Sequence, residues 1–131
     1  MTGSRWVAGL VLLSFAAAPA IAQSMNAEAF YRSATDLQSK GPMAVFSIGK
    51  VRALTAEAQR AGQKALDARM AAKAAGRTPR YCPPDGPRNM SSSEFLSRLA
   101  AIPAAQRSRM DMTEAMTLIL ATKFPCGAAH Q

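Results

Sequence analysis

The chain runs to 131 residues, with 16 Lys or Arg against 8 Asp or Glu and a formal net charge of +8. That length suits one domain with one modest core, and abundant alanine with few β-branched residues makes all-α the expected fold class. Two cysteines and a single histidine, His130, next to the C-terminus where fraying is expected, match no metal-ligand spacing and supply no positioned imidazole for a Ser–His or Cys–His nucleophile.

Residues 1–22 read as an export signal. Arg5 gives a positive start, Trp6 to Ala18 form an uncharged, mostly apolar run, and Ala20-Ile21-Ala22 offers the small side chains a signal peptidase reads. A spanning helix needs roughly 20 apolar residues, and this run stops at Pro19, so cleavage near Ala22 is expected rather than an anchor. The mature chain, residues 23–131, is then a single helical domain in the periplasm, with no stable membrane insertion. It keeps 15 basic against 8 acidic side chains, a net +7. Such a balance favours acidic partners, anionic envelope polymers or lipid headgroups. Export and the scattering of the charges argue against nucleic acid.

The first predicted helix covers Ala27 to Ser39. Asn26 is its N-cap, Glu28 suits the positive end of the dipole, and Gly41-Pro42 stops it. Phe30, Ala34 and Leu37 fall on one face, which is core.

A second helical region extends from Pro42 to Gly76. Val51, Leu54, Ala58, Ala61, Ala65, Ala68, Ala72 and Ala75 recur at steps of three and four, a heptad seam made mostly of alanine. Leu66 and Met70 widen the stripe, while Arg52, Arg60, Arg69 and Lys73 belong to the watered side. A straight helix from Met43 to Ala75 would span roughly 50 Å, against a radius of gyration near 13 Å for a globule of about 100 residues. We therefore expect a break at Gly49 or Gly62, with a homodimer contact over the overhang.

Gly76 to Met90 is a loop rich in proline and glycine that carries Cys82, Arg77, Arg80 and Arg88. Ser91 and Glu94 then form a capping box for a helix that must end before Pro103. The last helix is predicted from about Met110 to Lys123, with Met112, Ala115, Met116, Ile119 and Leu120 inward. Pro125 ends it and delivers Cys126 at its foot. In an oxidising compartment the only two cysteines are expected to pair, Cys82 with Cys126, tying the loop to the end of that helix. The result is a small disulfide-linked bundle of about four helices.

The residues favour a binder over an enzyme, with no cofactor and no metal. Glu57, Asp67, Glu94 and Glu114 lie at caps or near Arg or Lys, and no glycine-rich phosphate loop is present. Met90, Met110, Met112 and Met116 suit an adaptable groove, or more plainly core filling. Arg77, Arg80, Tyr81 and Arg88 are the candidate partner-binding residues, because tyrosine and arginine anchor interfaces and a tethered loop loses less entropy on binding. The opposing reading packs Tyr81 on the disulfide.

The phrases Tyr81-Cys82-Pro83-Pro84-Asp85-Gly86, Phe95-Leu96-Ser97-Arg98-Leu99, Ile102-Pro103 and Lys123-Phe124-Pro125-Cys126 together resemble the Tai-type (resistance-associated) immunity proteins. The resemblance covers Tyr81 to Cys126, and only Cys82 and Cys126 carry over residue by residue. It implies a periplasmic, helical, disulfide-bonded protein, often a dimer, that blocks a peptidoglycan amidase injected by type VI secretion. Members commonly carry another cysteine pair near the first interhelical turn, where this chain has none. Two competing readings are a general periplasmic chaperone or envelope-assembly factor, and an enzyme that works through carboxylates.

Overall fold

The structure, a computed structural model, describes residues 23–86 and 88–127. The expected export signal (residues 1–22) and His130 lie outside the described residues. Among those described, the chain forms five helices: α1 Ala27–Ser39, α2 Ile48–Ala74, α3 Ser92–Ala101, α4 Ala104–Arg107 and α5 Met112–Lys123. A 3-10 turn, Gly41–Ser47, joins α1 to α2. The small all-α bundle expected from composition is the architecture found.

Two caps set the geometry. Asn26 Oδ1 accepts the N–H groups of Glu28 and Ala29 at 3.0 and 3.2 Å, and Asp111 Oδ1 accepts that of Glu114 at 2.8 Å. The cap residues face each other in an isolated antiparallel bridge, with Ala27 N–H on the Met110 carbonyl and Met112 N–H on that of Met25. α1 and α5 therefore start from the same end. The bridge is also why α5 begins two residues later than expected: the Met110 carbonyl serves α1, and Asp111 takes the cap.

The core gathers where α1, α2, α3 and α5 converge. Phe30, Ala34 and Leu37 are buried as their spacing requires, and the Phe30 ring meets that of Phe95 edge to face, centroids 5.9 Å apart. From α5, Met112, Ala115, Met116 and Ile119 point inward. Met112 and Met116 are core and Met90 and Met110 pack half-buried against it, so these methionines fill the core, while Met90 and Met116 also reach the open face between the helices.

α2 differs from expectation in an instructive way. It is unbroken from Ile48 to Ala74, and Gly62 lies within it, in open space where a Cβ would meet nothing. The irregularity sits earlier, where the 3-10 turn gives way to α-helix at Ser47. One glycine costs a helix only about 1 kcal/mol relative to alanine, too little to break an alanine-rich run packed on a neighbour. The seam is used only in part: Leu54, Ala61 and Ala65 are buried, whereas Ala68, Ala75 and Met70 are exposed. Twelve residues of α5 reach roughly 18 Å, so they cannot cover the roughly 40 Å of α2. The overhang ends at Gly76 (φ +67°), where Arg77 N–H bonds the Ala72 carbonyl and Gly76 N–H that of Lys73, a Schellman closure.

The short α4 was not anticipated. Pro103 ends α3 as expected, with Ile102 extended, but the chain then makes one further helical turn that positions Arg107.

Candidate functional site

α1, α2, α3 and α5 do not close completely. Between them lies an open apolar cleft of about 700 Å³, lined by Phe30, Leu37, Leu54, Leu66, Phe95 and Leu120. Its size falls within the range of sites that take a ligand or a partner's side chains. Gln38, Thr55 and Gln59 also border it, as do Arg88, Asn89 and Met90 of the long loop.

That loop is fixed at several points. The disulfide between Cys82 and Cys126 forms, with Cα atoms 4.8 Å apart, and Cys82 N–H donates to the Phe124 carbonyl at 2.8 Å. Lys123 Nζ donates to the Asn89 carbonyl at 3.2 Å and to Glu94 Oε1 at 2.7 Å. Glu94 is therefore not the reciprocal half of a capping box. Ser91 Oγ accepts its N–H, but its carboxylate turns to Lys123 and Arg98 because two cations outweigh one backbone donor.

The four candidate binding residues divide. Tyr81 is 4 % exposed and belongs to the core, which overturns its role as a surface anchor. Burial pushes its hydroxyl pKa up, partly offset by Arg69 and Arg88. The opposing reading is right that Tyr81 is buried; the neighbour seen against its ring is Arg69. Arg80 forms a bidentate pair with Glu114, both contacts 2.7 Å, and is thereby committed within the chain. Arg77 and Arg88 are exposed. Arg88 borders the apolar cleft, while Arg77 borders a second depression of about 420 Å³ on the far side of Tyr81, beside Arg80 and Arg69.

Arg69 was expected in water. Instead it lies 5.7 Å over the Tyr81 ring with its Nε buried and unpartnered. The loop folding back on α2 brings Tyr81 against it, a contact that helical periodicity alone does not reveal.

Five carboxylates, Glu28, Asp36, Glu57, Glu94 and Glu114, pair with cations. The Arg107 guanidinium, then that of Arg32, holds Glu28 below the usual carboxylate range; Lys40 does so for Asp36, Lys123 for Glu94 and Arg80 for Glu114. Glu57 is 3 % exposed. Burial alone would raise its pKa, yet Arg60, the Met25 N–H and the Ser24 hydroxyl together bring it down. Asp67 meets Gln63 rather than a cation. Each carboxyl shift that is resolved runs downward, so these acids are ionised at neutral pH. Among the described residues no three His, Cys, Asp or Glu side chains come together as a metal would need.

One functional-looking side chain escaped sequence reasoning. Arg107 is 6 % exposed: its Nε donates to Glu28 at 2.7 Å, its Nη1 to the carbonyls of Leu99, Ala100 and Ile102, and its guanidinium lies 4.1 Å over the Tyr31 ring. It caps the C-terminal end of α3 and ties it to α1. No local motif marks it. The Asp111 cap was missed as well, since the helix was expected from Met110, although an Asp ahead of a helical run with Glu114 three residues on is a signal for it.

Compared with known proteins, the chain matches no family model, no curated protein and no solved structure.

Proposed function

We propose that the protein is an exported, non-catalytic binder that seats one protein partner in the apolar cleft, as an immunity-type antagonist of a cell-wall amidase in the periplasm. The observation that carries this reading is the cleft itself. It is a groove of about 700 Å³ lined by aromatic and aliphatic side chains, bordered by Arg88 and Met90 on a disulfide-held loop. A rigid apolar groove with an arginine at its edge suits anchor side chains from a partner, because little of its own freedom is lost on binding. The pairing of Glu28, Asp36, Glu57, Glu94 and Glu114 with cations favours binding over acid–base chemistry, which needs a carboxyl raised towards neutral pH. The sequence resemblance over Tyr81 to Cys126 supplies the partner class.

The test is protection. Cells that express a periplasm-directed amidase effector should survive when this protein is co-exported, and muropeptide release in vitro should stop at one-to-one stoichiometry. Unchanged amidase rates at large excess, across the effectors of that class, would count against the reading. The helper alternative draws on the exposed apolar residues Met43, Val45, Phe46 and Ile48. It predicts weak suppression of aggregation for many unfolded clients, which a single tight stoichiometric complex excludes.

A further inference from the structure

We propose that the turn between α1 and α2, Gly41 to Ile48, is a peripheral anchor that docks the protein on an anionic phospholipid surface. Gly41 adopts φ +50° and Pro42 follows at the first 3-10 position, so the chain leaves α1 abruptly. Met43, Val45, Phe46 and Ile48 then stand 62, 65, 79 and 52 % exposed, four large apolar side chains within six residues. They are distinct from the cleft, which none of them lines. A cluster of this kind on a water-facing corner marks a contact surface.

The charges around it select the occupant. Lys40 and Lys50 bracket the turn, and Arg52 follows Ile48 by one helical turn on the same side of α2. Asp36 lies 3.0 Å from Lys40 Nζ and 3.5 Å from Lys50 Nζ, which leaves this corner with an excess of two positive charges. A second copy meeting this turn about a two-fold axis would set each of these cations near its own image, inside two bodies already strongly basic. Anionic headgroups offer the opposite complement. Apolar side chains enter the acyl boundary while lysine and arginine stems reach outward to phosphates, the usual arrangement of interfacial binding. No described helix is long and apolar enough to cross a membrane. This inference stands apart from the choice of protein partner.

Sedimentation of the exported protein with vesicles tests it, using phosphatidylethanolamine with phosphatidylglycerol against pure phosphatidylcholine. Binding to the anionic vesicles should exceed that to the neutral ones at least about ten-fold at low salt, and should weaken as salt rises towards about 1 M. Phe46→Ser combined with Ile48→Ser should remove at least about ten-fold of that binding with an unchanged far-UV spectrum, while Met70→Ser on the overhang leaves it intact. Arg52→Glu should weaken binding to anionic vesicles alone. Three results overturn the proposal: no preference for anionic vesicles, no loss in the double variant, or a lipid-free dimer that the double variant dissociates.

Discussion

Phe30 stands in the first turn of α1 and Phe46 in the turn that follows that helix, yet one is 3 % exposed and the other 79 %. Phe30 belongs to a body whose every approach is fixed: helix caps that face each other, an aromatic pair, a disulfide and ion pairs with charge on both sides. Phe46 belongs to a turn held mainly by its own backbone. The difference shows that apolar content alone does not decide burial. What decides it is whether a neighbouring element arrives to cover the side chain, and α5 is too short to reach everywhere.

The tied region can be broken most severely at its sulfurs. Reducing the Cys82–Cys126 bridge, or replacing both residues with alanine, should lower unfolding free energy by about 4 kcal/mol, read from urea midpoints with and without reductant. For a domain with a total stability of about 5 to 15 kcal/mol, that is a large share. Next comes Arg107→Ala. It strands the carbonyls of Ala100 and Ile102 at the end of α3, while that of Leu99 keeps the Ile102 N–H, and it loosens Glu28, so a loss of about 3 kcal/mol is expected by thermal or urea unfolding. Arg107→Lys should recover only part, since an ammonium cannot fork to the same partners.

Acid should act on the same region before it touches the turn. The carboxyls of Glu28, Glu57, Glu94 and Glu114 sit below their ordinary value of 4.5 in the folded state. A depressed carboxyl contributes its full stability above the unfolded value, and that contribution fades as pH falls through the folded one. Stability should therefore be level between about pH 6 and 8 and fall steadily below about pH 4.5. A urea series against pH checks the sign, and a rise in stability on acidification would contradict the assigned pairs. The smallest effect sharpens the other side. Gly62→Ala on α2 meets open space and should stabilise by about 0.5 to 1 kcal/mol, whereas Gly41→Ala, at φ +50°, should cost about 1 kcal/mol.

Much of this body was legible from residues. Asn26, the Phe30/Ala34/Leu37 face, the stop at Pro103 and the inward stripe of α5 follow from local rules of capping and periodicity, and the cysteine pairing followed from compartment chemistry. What escaped were contacts between elements distant in sequence. The burial of Tyr81 against Arg69 depends on the loop folding back over α2, and the role of Arg107 depends on an extra helical turn after Pro103. The apolar cleft is a gap between four elements, and no one of them announces it. The seam on α2 was read at full length because periodicity says which face is apolar, not how far a neighbour extends.

The most direct measurement sets the two phenylalanines side by side in urea unfolding. Phe30→Ala should cost about 3 to 5 kcal/mol, and Phe46→Ser should stay within about 0.5 kcal/mol of the parent protein. A loss at Phe46 as large as that at Phe30 would mean the turn is packed into the folded body, and the division between a tied core and an uncovered corner would be wrong.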